Sequence, residues 1–166
     1  MFPIRAAALA TILVLSSPLV AGNLNVPSPE ESKAIAIMQA ADAQMSVSKR
    51  AIVAEQLALS PEQAVRFWPV YDAHQAALSK LNRRRLENIL IYARAWNTGS
   101  VDDRTASQVA KEAISVEQDE AKLLKKTFRQ ACQVVSTAQA ARYLQLEAKT
   151  RAEIRYAEAE SVPLVN

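Results

Sequence analysis

The side chains that could do bond-making chemistry in this chain are few and far apart. His74 is the only histidine and Cys132 the only cysteine. A helical metal site takes ligands three or four positions apart, and around His74 those positions hold Val70, Tyr71, Ala77 and Leu78. None of these completes a zinc site, so no metal is expected and His74 reads as a solvent-facing or internally satisfied structural residue. A serine–histidine or cysteine–histidine pair would have to be assembled from lone residues without a flanking signature. Gly22 and Gly99, the two glycines, cannot build a glycine-rich phosphate loop. The chain is therefore not expected to be an enzyme or to hold a cofactor. Cys132 permits no disulfide within the chain and reads as a small buried apolar residue on a helix. Its functional alternative is an intermolecular bridge between two copies.

Basic side chains are arranged more suggestively. Lys80, Arg83 and Arg84 stand at i, i+3 and i+4, and Lys122, Lys125, Lys126 and Arg129 continue that spacing over two turns further on. On helices each set forms a stripe. Glu112, Glu117, Asp119 and Glu120 precede the second set. Two readings compete. One is a solvated face whose charges match the helix dipole. The other is a cationic surface, flanked by apolar side chains, that holds flexible chains first by charge and then by hydrophobic contact. The formal net charge of +3 is too mild to imply a nucleic-acid partner.

The elements that would carry these residues read as helices throughout. Near absence of glycine disfavours a β fold rich in tight turns, and alanine, the best helix former, is abundant. Leu59-Ser60-Pro61-Glu62-Gln63 and Val135-Ser136-Thr137-Ala138-Gln139 each place a serine three residues before a glutamine. That is a capping box: the hydroxyl accepts from a first-turn N–H while the glutamine reaches back to the cap's own N–H. Pro61 suits the first helical position. Downstream of it, Val65, Trp68, Tyr71, Leu78, Leu81, Leu86, Ile89, Tyr92 and Trp96 recur at mostly helical spacing, predicting one buried stripe. Pro69 should bend this helix and leave the Val65 carbonyl unpaired, and Asn97-Thr98-Gly99-Ser100 should end it. A third helix is expected to start between Asp102 and Thr105, carrying Val109, Ala113, Val116, Leu123, Phe128, Ala131 and Val135. The second capping box interrupts it, and a fourth helix follows to about Glu158 with Tyr143, Leu144, Leu146 and Ile154 as anchors. A short helix from Ser48 to Leu59 precedes the first box. The expected fold is all-α, about four helices with two long ones, an elongated antiparallel hairpin. Its long aromatic stripe, with a sparsely apolar fourth helix to cover it, suggests a homodimer.

The chain starts as a signal peptide would. Arg5 gives a positive start, Ala6 to Leu15 an apolar stretch, and Val20-Ala21-Gly22 a small-residue cleavage site. The apolar run to Val20 falls short of the roughly 20 residues of a spanning helix. Gly22 and Asn23 stand where a lipoprotein would need cysteine. The expected organisation is thus a leader over 1–22, a linker and weak helix over 23–47, a helical domain over 48–160 and a tail over 161–166. The protein is expected to be exported, periplasmic, soluble and not inserted in the membrane.

The two serine–glutamine segments resemble the paired LTxxQ motifs of Spy- and CpxP-like periplasmic proteins, with Ser60 and Ser136 for threonine and Val135 for leucine. The resemblance spans residues 48 to 160 and implies an antiparallel helical dimer shaped as a shallow cradle. It implies ATP-independent binding of unfolded or aggregation-prone exported proteins on the basic and apolar concave face. Other members restrain envelope-stress sensor kinases or respond to heavy metals, so an accessory role on a sensor kinase's periplasmic domain is the alternative. The metal-responsive branch generally uses histidine-rich sites, which His74 alone does not supply.

Overall fold

The computed structural model describes residues 48–161 and 164, and its regular structure there is entirely helical. The expected leader (1–22), the linker and weak helix (23–47) and most of the tail lie outside the described residues. Four helices follow one another: α1 (48–57), α2 (Pro61–Asn97), α3 (Asp103–Ala131) and α4 (Thr137–Ser161).

Local chemistry sets each boundary. At Ser60 the capping box is complete: Gln63 N–H donates to Ser60 Oγ at 3.3 Å, and Ser60 N–H donates to Gln63 Oε1 at 3.0 Å. With Pro61 at its first position, α2 then runs 37 residues, roughly 55 Å at 1.5 Å per residue. It passes through Pro69 without a break. Pro69 is exposed, and its missing N–H leaves the Val65 carbonyl without a helical donor beside a residue open to water. The helix stops at Thr98, whose N–H and hydroxyl both donate to the Arg94 carbonyl, and Gly99 then takes φ +62°, a conformation that side chains resist. Asp102 caps α3 by accepting the Thr105 N–H at 2.7 Å. Ser136 repeats the full box before α4: Gln139 N–H donates to Ser136 Oγ at 3.2 Å and Ser136 N–H to Gln139 Oε1 at 3.1 Å. Between α1 and α2, Ala58 adopts φ +44°, which costs a non-glycine residue about 1 kcal/mol.

α3 folds back antiparallel on α2, with His74 meeting Thr127 and Asn88 meeting the Val109 carbonyl. α4 reverses again, so it runs parallel to α2. It meets α3 through Arg151 and Arg155, which reach Glu120 and Glu117, and it meets α2 through long aromatic and amide side chains. α1 lies across the end where α2 and α4 begin. There Val53, Leu57, Phe67, Tyr71, Ala131, Val135, Ala140 and Tyr143 form one buried cluster drawn from all four helices and the α3–α4 link.

The buried line of α2 differs from the expected stripe. Phe67 is fully buried and Val65 is 76% exposed, and the line includes His74 and Asn88. Each of the two polar residues finds a partner on α3, through His74 Nδ1 and Asn88 Nδ2. Leu81 and Tyr92 are covered within one chain. Trp68, Leu78, Leu86, Ile89 and Trp96 of the expected stripe are half-buried within one chain.

Candidate functional site

The paired serine–glutamine segments meet. Gln63 Nε2 donates to Gln139 Oε1 at 3.2 Å, and Gln139 Nε2 donates to the Leu57 carbonyl at 3.1 Å. Arg142 donates to the neighbouring Gln56 carbonyl at 3.0 Å. The two amides therefore join the starts of α2 and α4 and cap the open carbonyl end of α1. Gln63 and Gln139 are 76 positions apart. Phe67 and Tyr143 keep the same offset and pack edge to face at 5.3 Å between centroids. The two copies extend further than serine and glutamine alone: Ala64, Arg66 and Phe67 correspond to Ala140, Arg142 and Tyr143. Extending the alignment past the glutamines would have revealed this register in the sequence.

Below that joint sit two buried carboxylates, Glu147, which sequence reasoning did not single out, and Glu120, which it placed only in the acidic run before the second basic set. Glu147, 1% exposed, accepts from Lys49 Nζ at 2.6 Å and from Gln75 Nε2 at 2.9 Å. His74 Nε2 lies 3.5 Å from Glu147 Oε2, and His74 Nδ1 lies 2.8 Å from Thr127 Oγ1. Burial pushes the Glu147 carboxyl up, but His74 and Lys49 outweigh it and hold the group down at about 2. Burial, reinforced by that carboxylate, pushes the Tyr71 phenol up to about 12 and raises Tyr143 as well. Glu120 is equally buried, accepts from Arg85 at 2.5 Å, and touches Arg151 and Arg155.

The order Thr127–His74–Glu147 has the outline of a hydroxyl, base and orienting acid. All three are at most 2% exposed, and the 3.5 Å His74–Glu147 separation is long for a hydrogen bond. The three residues stand on α3, α2 and α4 in turn and tie those helices together. Among the described residues no group of three histidine, cysteine, aspartate or glutamate side chains is set to hold a metal ion. Cys132 is half-buried at the end of α3, with its N–H donating to the Phe128 carbonyl.

The seven cationic residues divide into two groups. Arg84 is engaged: it reaches Glu112 and Asp119 at 2.8 Å each and Ser115 Oγ at 3.1 Å. Lys122 joins it on Asp119 at 3.0 Å. Glu112 and then Asp119 raise the Arg84 guanidinium further above its ordinary range, while Arg84 and Lys122 hold the Asp119 carboxyl down. Lys80, Arg83, Lys125, Lys126 and Arg129 are exposed and make no ion pair among the described residues. Lys80, Arg84, Asp119, Lys122, Lys126 and Arg129 follow alternate three- and four-residue steps on the two helices. They thus share the side of the hairpin turned away from Arg85 and Glu120, which face α4. Further along this side an open groove of about 720 Å³ is lined by Arg84, Glu87, Asn88, Ile91, Arg104, Ser107, Gln108, Lys111, Glu112 and Ser115. Of its lining residues only Ile91 is apolar by type.

Among the described residues no helix is long and apolar enough to cross a membrane. Comparison with family models, with curated proteins and with solved structures gives no match.

Proposed function

We propose that this protein is an ATP-independent, chaperone-like binding protein of the periplasm that holds flexible, non-native segments of exported proteins on the cationic side of the α2–α3 hairpin. One observation carries the reading: Lys80, Arg83, Lys125, Lys126 and Arg129 remain exposed and unpaired on a helical pair whose Arg84 and Lys122 are engaged by carboxylates. Unpaired charge on a rigid pair of helices attracts acidic stretches of a client over several ångströms without costing fold stability. The groove beside it, with Ile91 and the amides of Asn88 and Gln108, then offers short-range contacts to a chain already drawn in. The paired LTxxQ-like segments and the leader-like start support the same reading.

The test is suppression of light scattering from a heat-unfolded or chemically reduced model protein by the purified chain, without nucleotide. Suppression at near-stoichiometric ratios is expected. Client aggregation that proceeds at its unassisted rate would contradict the reading.

A further inference from the structure

We infer that α1 is an exchangeable segment and that a second copy of this chain is the partner with which it is exchanged. The described part of α1, residues 48–57, occupies a groove formed by α2 and α4. That groove is specific along its whole length. Lys49, Val53 and Leu57, four apart on one face, deliver a cation to Glu147 and two fully buried apolar side chains to the core. Arg50 lies over the Trp68 ring at 4.3 Å. The Gln56 and Leu57 carbonyls complete the fit against Arg142 and Gln139.

An empty groove would leave the Glu147 carboxylate without its Lys49 partner and the Phe67–Tyr143 pair open to water, so some helix must fill it. The α1 of a second copy carries every required residue by identity. The tether decides between folding back and reaching out. It is three residues, Ala58 to Ser60, and folding back onto its own chain holds Ala58 at φ +44°. An extended tether releases that conformation, and docking into a second copy restores each contact. Short strained hinges of this kind invite exchange.

Two full-length single variants, Lys49→Glu and Glu147→Lys, provide the test. Each alone places like charges at the α1 groove and should melt lower than wild type. Mixed, each chain's α1 suits only the other's groove, so reciprocal exchange restores both pairs. The expected result is a heterodimer by native mass spectrometry and a melting temperature that recovers most of the loss. A mixture that stays monomeric and melts as the sum of its components would overturn the proposal. Should Glu147→Lys fail to fold, Ala58 gives a second test that leaves the groove untouched. Ala58→Val, which disfavours positive φ, should raise the dimer fraction several-fold over Ala58→Gly, which tolerates it. Equal monomer masses for both would overturn the proposal. So would rescue of the Lys49→Glu chain by a free 48–58 peptide but not by the Glu147→Lys chain, since the groove would then take any matching helix in solution.

Discussion

Gln63 and Gln139 hold each other across 3.2 Å, and each at the same time closes the capping box of its own helix. Gln139 does most, because it also caps the Leu57 carbonyl of α1. Gln139→Ala should therefore destabilise the fold by about 2 kcal/mol and Gln63→Ala by about 1 kcal/mol. In urea melts the double variant should fall short of the sum by at least about 0.5 kcal/mol, since the two share a bond. Strict additivity would mean that the joint adds nothing beyond two separate caps.

The serines act more locally. Ser60→Ala and Ser136→Ala should each cost about 1 kcal/mol, because each frees one first-turn N–H. Chemical denaturation of the two variants measures this, and wild-type midpoints for both would remove the capping account.

Acid should unfold the protein in part through Glu147. Its folded carboxyl is held at about 2 against an ordinary 4.5. Between those values the unfolded chain binds a proton there and the folded chain does not. Stability is thus complete above pH 4.5 and falls as pH drops toward 2, by about 3 kcal/mol from this group. Glu147→Gln should be less stable than wild type at neutral pH, and the gap should narrow across that window. Parallel stability curves down to pH 2 would show that Glu147 is not the titrating group.

Much of the fold is legible in the sequence, because helix starts are local events. Ser60, Asp102 and Ser136 announce their helices through residues three positions away, and Gly99 marks the turn before α3. The buried polar residues are not legible in this way. His74, Asn88, Glu120 and Glu147 look solvated by type, and their partners Thr127, Val109, Arg151 and Lys49 come from other helices. Hydrophobic periodicity therefore favoured Val65 over Phe67 on α2, since it cannot see that α4 brings Tyr143 against Phe67. The cationic stripes have the same limit. Arg84 and Lys80 are indistinguishable by spacing, but Glu112 and Asp119 arrive from α3 and engage only Arg84.

The Glu120 cluster should behave unlike a surface pair. Glu120→Ala leaves Arg85 and Arg151, each about 15% exposed or less, without their buried partner, and should cost about 3–5 kcal/mol. Arg155, 43% exposed, should matter far less when replaced by alanine. Thermal melts of the two variants check the contrast, and similar losses for both would contradict it.

The most direct test of the functional account reverses the five unpaired cations, Lys80, Arg83, Lys125, Lys126 and Arg129, to glutamate in one chain. These side chains are exposed and hold nothing in the fold, so the melting temperature should stay close to wild type. Association with a fluorescently labelled unfolded client, followed by stopped flow, should slow at least about tenfold at low salt. Wild type should slow similarly near about 0.5 M salt, where screening shortens to a few ångströms. Association that is as fast in the reversed chain as in wild type, and indifferent to salt, would contradict a client surface built from these residues.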